Sequence, residues 1–178
     1  FSMGTLFQTI YTTQATELRS LGALGYDVAT FGNHEYEYRA DALAKMLRAA
    51  AENGDPLPAL IQANYVTPKD PEADAEVVEA MADCGVTDYV MIERDGVRFA
   101  VFGVMGEDAD ACAPMSGMEF EPVIEAAQRV VDEIKANEEY DFLICLSHSG
   151  TNPDPKKSED ELLAKNVDGI DFIVSGHT

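Results

Sequence analysis

The sequence has 178 residues, of which 12 are Lys or Arg and 33 are Asp or Glu, so its formal net charge at pH 7 is −21. Nucleic acids and anionic membrane surfaces both attract clustered basic residues, so we expect this segment to bind neither of them. With 46% hydrophobic and 25% charged residues, the composition is that of a globular domain that buries one core, and it excludes disordered and collagen-like chains.

The sequence contains neither a predicted membrane helix nor a predicted secretion signal. No run of about 18 uncharged apolar residues occurs, and the opening Phe1-Ser2-Met3-Gly4-Thr5 lacks the basic and apolar regions of a signal peptide. Cys84, Cys112 and Cys145 are odd in number and widely spaced, which argues against a disulfide framework. Cysteine usage therefore leaves the cellular compartment open.

Helices and strands are predicted to alternate along the first part of the chain. Residues 12–24 have Leu and Ala at helical spacing and stop before Gly25, a residue typical of a helix end. Residues 40–51 have the composition of a helix, and the helix-breaking segment Asn53-Gly54-Asp55-Pro56 follows them. An apolar run after each helix predicts a strand, at residues 26–31 and 60–65.

The middle of the chain has the pattern of a β-hairpin. The acidic, Ala-rich residues 67–86 are interpreted as a loop that carries a helix at residues 75–83. Two β-rich runs, at residues 89–93 and 97–103, flank Arg94-Asp95-Gly96. Because Asp-Gly between two such runs is the strongest short-range hairpin signal, we expect these strands to be antiparallel.

The last part of the chain returns to alternating helices and strands. Residues 122–137 begin with proline and carry an apolar stripe, which predicts a helix. The apolar run 141–146 is typical of a strand buried on both faces. A short helix at 159–165 precedes the final predicted strand, 171–174. Strands separated by helices indicate an α/β fold with a mostly parallel sheet and one antiparallel pair.

The three histidines of the sequence, His34, His148 and His177, each follow a predicted strand. Ligands in α/β folds bind beyond the carboxyl ends of the strands, so all three imidazoles are expected where sites form. Taken singly, each could instead be a hydrogen-bonded structural residue, and the glycines near His34 and His177 could mark simple turns. Their shared placement favours a functional site.

The residue types near these histidines indicate which ligand they bind. Imidazoles with amide and carboxylate oxygens suit Zn, Mn, Fe or Ni better than Ca or Mg. No cysteine is expected to join them, and Cys145, inside an apolar run, is interpreted as a buried, inert thiol. Leu146-Ser147-His148-Ser149-Gly150 is not the Gly-x-Ser-x-Gly of serine hydrolases, and Gly103-Val104-Met105-Gly106 lacks the third glycine of a dinucleotide-binding motif. A metal site is therefore the preferred interpretation.

Three ordered motifs resemble those of a known family. They are Gly32-Asn33-His34-Glu35, Ser147-His148-Ser149-Gly150 and Ser175-Gly176-His177-Thr178, each after an apolar strand. Together they are similar to the later motifs of the calcineurin-like metallophosphoesterases, and in particular of the bacterial 5′-nucleotidase branch. The resemblance spans the whole chain. It implies a four-layer α-β-β-α sandwich, in which helices cover two β-sheets.

The resemblance also implies roles for five residues. Asn33, His148 and His177 would be ligands of the second of two divalent metal ions. His34 would face the phosphate and stabilise or protonate the leaving oxygen, assisted by Glu37 at a position where the family usually has Asp. The extra methylene of Glu37 changes the reach of that carboxylate by about one bond length, so the geometry of the pair needs a structure.

Other family motifs have no counterpart in this sequence. The Asp-x-His motif and the Gly-Asp motif with its bridging aspartate are missing, and Thr178 stops one residue before the His that completes Gly-His-Thr-His. We therefore expect residues 1–178 to be a partial catalytic domain without its first strand or strands. The resemblance implies that the C-terminal domain that selects the nucleotide is not among these residues, and the isolated segment is expected to be inactive.

The function that the resemblance implies is hydrolysis of phosphate esters, most simply nucleotides, by a hydroxide activated by two metal ions such as Zn, Mn or Fe in the full-length protein. The alternative is a non-catalytic binding or scaffold domain that keeps the fold around a degenerate metal site. The metals, the substrate and the oligomeric state are not readable from the sequence. Family resemblance suggests an extracellular or cell-envelope location.

Overall fold

The computed structural model describes residues 1–2 and 4–178. The described chain contains one 3-10 helix at Leu6–Ile10, followed by α-helices and β-strands that alternate as an α/β fold requires. In chain order these are α1 Tyr11–Gln14, α2 Thr16–Leu24, β1 Val28–Thr30, α3 Asn33–Tyr36, α4 Arg39–Asn53, β2 Ala59–Ile61, α5 Ala75–Asp83, β3 Tyr89–Arg94, β4 Val97–Met105, α6 Glu107–Cys112, α7 Val123–Asn137, β5 Phe142–His148, α8 Glu159–Asn166 and β6 Phe172–Ser175.

The strands form two sheets. Strands β1 and β2 pair in parallel, and β3-β4-β5-β6 form a second sheet in which only the β3–β4 pair is antiparallel. Asp95 and Gly96 connect β3 to β4 with φ angles of 52° and 80°, the left-handed pair that a two-residue hairpin turn uses. The predicted hairpin and the predicted mixture of parallel and antiparallel pairing are both confirmed.

The two sheets pack against each other and are covered by helices on their outer faces. Strand β1 contacts β4 and β5, and Gly103 of β4 lies so close to the other sheet that a Cβ there would be 2.9 Å from the carbonyl oxygen of Ile61. Leu47 of α4 and Leu60 of β2 belong to one apolar core, and Val130 of α7 and Leu143 of β5 belong to the other. This arrangement is the α-β-β-α sandwich implied by the resemblance.

Two predicted elements have different bounds in the structure, because contacts with distant segments of the chain determine where they end. Ala15, with φ of 45°, separates α1 from α2 inside the predicted helix 12–24, because Tyr11 is held in the core by a hydrogen bond from its hydroxyl to the carbonyl oxygen of Glu35. Strand β2 ends at Ile61 because the next two amides, of Gln62 and Ala63, donate to the carbonyl oxygens of residues 87 and 103 instead. Local propensity does not encode either contact.

Other expectations hold at the level of single residues. Gly25 and Gly54 end α2 and α4 in the left-handed conformation, with φ of 80° and 70°. Helix α5 has the bounds predicted for it, and α7 begins after Pro122. Among the described residues, no helix is both long and apolar enough to cross a membrane.

Candidate active site

Two of the predicted site histidines meet at the carboxyl ends of β5 and β6. His148 is the last residue of β5, and His177 lies two residues beyond β6. These strands are parallel neighbours with Ser147 opposite Ser175, so their ends are adjacent. Nδ1 of His177 lies 3.3 Å from Nε2 of His148, and the ring centroids are 5.0 Å apart.

Asn33 reaches the same point from the other sheet. It opens helix α3, three residues after the end of β1, and its side chain is buried. Its Oδ1 lies 2.9 Å from Nε2 of His148, although 115 residues separate the two in sequence. The face-to-face packing of the sheets therefore brings together all three residues predicted to be metal ligands.

The donor atoms of these three residues suit a metal ion. His148 Nε2 faces both an amide oxygen and an imidazole nitrogen at 2.9 and 3.3 Å, so three atoms that can offer lone pairs converge. Burial and, to a smaller extent, the nearby His177 together lower the pKa of His148 to about 4, against the opposing charge of Glu35. The imidazole of His148 is therefore neutral at pH 7, which is the form that binds metals.

His34 and Glu37 form a pair beside this cluster. His34 Nδ1 lies 2.7 Å from Glu37 Oε1, so the longer glutamate side chain still makes the hydrogen bond. The same Oε1 accepts a longer contact of 3.4 Å from Nδ2 of Asn33. The His34 side chain is 37% exposed and accessible to a substrate. All five predicted site residues thus belong to one connected group.

Asp108 and Cys112 are two further side chains at the site, and sequence reasoning missed both of them. Oδ2 of Asp108 lies 3.1 Å from Nε2 of His177. Potential ligand atoms of Asp108, Cys112 and His177 all lie within 4.8 Å of one another. Cys112 therefore lies close to His177, which the sequence did not indicate. The spacing of four residues indicates a shared helix face, but the six-residue α6 has too little periodicity to be predicted.

Cys145, in contrast, lies where it was expected. Its side chain is fully buried in the core around β5. Burial raises the pKa of its thiol well above the usual value, and the nearby Asp160 raises it further. A protonated, inaccessible thiol is not a nucleophile.

Glu35 is a buried carboxylate that shapes the turn before His34. Its Oε2 accepts a hydrogen bond of 2.7 Å from the Gly32 amide, and its Oε1 accepts one of 2.7 Å from the Ser2 amide. Its own carbonyl oxygen accepts from the hydroxyl of Tyr11. The glutamate of the Gly-Asn-His-Glu motif therefore fixes the backbone that presents Asn33 and His34.

The one Gly-Asp dipeptide of the sequence, Gly54-Asp55, does not belong to this site. Gly54 ends α4, and Oδ2 of Asp55 lies 2.5 Å from Nε of Arg19. This segment precedes β2, so it lies at the amino end of that strand. The histidines lie beyond the carboxyl ends of theirs.

A cavity of about 460 Å³ opens beside the histidine cluster. Asp108 and Thr178 line it on the side of His177, and Ser149 lines it after His148. Lys156 and Lys157 also line it. The two lysines supply positive charge in a cavity that Glu107, Asp108 and Glu159 also line, so its charged side chains are mixed.

Replacing Gly32 with alanine is expected to displace the His148 ring. A Cβ on Gly32 would lie 2.6 Å from Cε1 and Nε2 of that ring, much closer than atoms can approach. We expect metal affinity in the full-length protein to fall by about 10-fold or more, the range found when the surroundings of a metal ligand are disturbed. Competition with a chromophoric chelator measures the change.

The matched control is Gly54→Ala, where a Cβ meets open space and only the positive φ is unfavourable. That variant should lose some stability and keep its metal affinity. Unchanged metal affinity in Gly32→Ala would mean that His148 is not part of a metal site.

Comparison with protein-family models finds no match for this chain. Among individual proteins, it is 30% identical over 179 residues to the trifunctional nucleotide phosphoesterase protein YfkN of Bacillus subtilis (strain 168), which covers 91% of this chain. The chain spans only 12% of the length of that protein.

Two solved structures extend the similarity to the fold. The 5′-nucleotidase precursor from Thermus thermophilus matches 98% of this chain with a TM-score of 0.73 and 25% identity. The calcineurin-like phosphoesterase YfkN from Bacillus subtilis matches 96% with a TM-score of 0.66 and 22% identity. The chain covers 30% of the first solved chain and 53% of the second.

Proposed function

Because this chain belongs to the calcineurin-like metallophosphoesterases, in the branch of the bacterial 5′-nucleotidases, we propose that it forms part of a catalytic domain that hydrolyses nucleotide phosphate esters with two divalent metal ions. Its relatives include nucleotide phosphoesterases and 5′-nucleotidases. Nucleotides are accordingly the substrate class we propose.

The observation that carries this proposal is the meeting of Asn33, His148 and His177. The three residues converge from two sheets on Nε2 of His148. Asn33 Oδ1 lies 2.9 Å from that atom, and His177 Nδ1 lies 3.3 Å from it. All three ligands are uncharged when the imidazoles are unprotonated, so an ion held by them keeps its full power to attract phosphoryl oxygens. We propose that these residues hold one of the two ions.

The ions, when bound, supply Lewis-acid stabilisation of the phosphoryl charge and activation of water. The remaining chemistry is proposed for the pair His34 and Glu37. In the imidazolium form, Nδ1–H of His34 donates a hydrogen bond to Glu37 Oε1 across 2.7 Å, which fixes the orientation of the ring and places a negative charge beside it. The Nε2–H of that imidazolium is then available to protonate the leaving oxygen of the ester, which leaves His34 as the neutral imidazole.

The cavity beside His177 gives a place for the rest of the ester. Lys156 and Lys157 at its wall would offset part of the repulsion between an anionic substrate and the carboxylates of Glu107, Asp108 and Glu159, which line the same cavity. We place the nucleotide in this cavity, with its phosphate towards the histidines.

Metal removal tests the proposed reaction. We expect a chelator to abolish phosphate release from nucleoside 5′-monophosphates by the full-length protein, and Zn²⁺, Mn²⁺ or Fe²⁺ to restore it. Phosphate release and metal content, measured on the same samples, check this. A full-length protein that binds nucleotides and metal but releases no phosphate with any of these ions would instead support the scaffold alternative.

A further inference from the structure

A buried carboxylate lies behind the histidine cluster and is not used by the proposed reaction. Asp160 occupies the first turn of α8 and is only 5% exposed. Its Oδ1 accepts a hydrogen bond of 2.5 Å from Ser147 Oγ, and its Oδ2 accepts one from Ser175 Oγ. Both of its oxygens are therefore held by hydroxyl groups rather than by a cation.

The two serines are placed at the strand ends that carry the histidines. Ser147 directly precedes His148, and Ser175 precedes Gly176-His177. They lie opposite each other in the register of β5 and β6. The amide of Gly176 also donates to the carbonyl oxygen of Ser147, at 2.8 Å. One carboxylate thus joins Ser147 to Ser175, the last pair of opposed residues in β5 and β6 before the two histidines.

Asp160 is not itself a candidate ligand. Successive side chains of a strand point to opposite faces, so Ser147 and His148 point in opposite directions from β5. Asp160, bound to Ser147, therefore lies on the face away from Nε2 of His148. Its effect on a metal ion must pass through the backbone of the two strands.

The chemistry of this contact favours a positioning role over simple stabilisation. A buried carboxylate is unfavourable unless charge-assisted hydrogen bonds offset its desolvation, and well-packed apolar side chains often join two strands equally well. Directional hydrogen bonds to the Asp160 carboxylate instead fix the distance between the hydroxyl groups of Ser147 and Ser175. Because each serine is next to or near a histidine, that separation also sets the distance between the imidazoles.

We propose that Asp160 is a positioning residue, which through Ser147 and Ser175 holds His148 and His177 at the separation needed to bind one metal ion. This inference rests on the proposed function, because it assumes that the two histidines bind metal. It assigns a role to a residue outside the ligand set and outside the three motifs.

The test compares Asp160→Asn with Asp171→Asn in the full-length protein. Asp171 is a matched control, because its carboxylate also joins β6 to β5, by accepting from the Leu143 amide at 2.8 Å, but at the opposite ends of the strands. We expect Asp160→Asn to raise the metal Kd by about 10- to 100-fold, the effect typical of outer-shell partners. Saturating metal should restore most of its kcat. Asp171→Asn should lower thermal stability and leave the metal Kd unchanged.

A second pair of variants covers the case in which Asp160→Asn does not fold. Ser175→Ala removes one hydroxyl bound by Asp160, whereas Ser175→Thr keeps it. We expect the alanine variant to bind metal more weakly and the threonine variant to resemble the wild type. Equal metal affinities in these two variants would overturn the positioning role.

Two further outcomes separate this inference from the proposed function. If Asp160→Asn and Asp171→Asn weaken metal binding equally, or neither does while His148→Ala does, the positioning role is wrong and the metal site stands. If His148→Ala binds metal as tightly as the wild type, the proposed function itself is wrong.

Discussion

His148→Ala is expected to remove one metal ion from the full-length protein and to abolish its phosphoesterase activity. Nε2 of His148 is the atom towards which Asn33 Oδ1 and His177 Nδ1 both converge. Without this ring, Asn33 and His177 remain as two ligands from different sheets, with no third ligand atom between them. Since loss of an outer-shell partner already lowers metal affinity by about 10- to 100-fold, loss of this ligand should exceed roughly 100-fold.

Metal content by mass spectrometry and metal Kd by chelator competition are the measurements. Circular dichroism and thermal unfolding establish that the variant folds, which we expect because the ring contributes to the site rather than to either apolar core. His34→Ala is the matched control, a histidine beside the same cluster that should keep its metal. A His148→Ala variant that retains metal at wild-type affinity contradicts the assignment.

His34→Ala is expected to have the opposite signature, with turnover reduced by about 100- to 10,000-fold and metal content unchanged. His34 contacts Glu37 rather than the two other histidines, so its removal takes no donor atom from the ligand group. What it removes is the group proposed to protonate the leaving oxygen. Steady-state kinetics should show the loss in kcat more than in KM.

The leaving group of the substrate sharpens this prediction. A nucleoside is a poor leaving group and needs a proton, whereas p-nitrophenolate leaves without one. We therefore expect the His34→Ala loss to be large for nucleoside monophosphates and small for p-nitrophenyl phosphate. Equal losses for both substrates would exclude proton donation, and loss of bound metal in parallel with activity would make His34 a ligand instead.

Glu37→Gln separates the two members of the pair. Glutamine keeps an acceptor for Nδ1 of His34 but lacks the negative charge that the carboxylate places beside the ring. We expect this variant to lose less turnover than His34→Ala and to show the same dependence on the leaving group. A loss as large as that of His34→Ala would indicate that the carboxylate itself acts on the substrate.

Much of the fold was predictable because its signals are local. The Asp95-Gly96 turn defines the hairpin, Gly25 and Gly54 end their helices in the left-handed conformation, and the apolar stripe of α7 faces a sheet. Backbone geometry and hydrophobic periodicity operate over a few residues, and the same residues carry them in the sequence. The three family motifs could be recognised for the same reason, since each is a short run of consecutive residues after a strand.

The parts that could not be predicted depend on contacts between distant segments. The break at Ala15 and the early end of β2 follow from hydrogen bonds to Glu35, Thr87 and Gly103. Asp108 and Cys112 reach the site on a helix too short to show a period. Local sequence preferences do not distinguish Asp108 and Cys112 from ordinary exposed residues.

Five side chains proposed to do chemistry, those of Asn33, His34, Glu37, His148 and His177, are identifiable from the sequence, because short segments after the strands contain them. The folded arrangement was needed to establish that Asn33 meets His148 across two sheets, that the longer Glu37 still reaches His34, and that Asp160 joins the ends of β5 and β6. The physical reason is distance: a metal centre and a hydrogen-bonded pair depend on separations of about 3 Å. Only the packing of two sheets sets such separations between residues far apart in the chain.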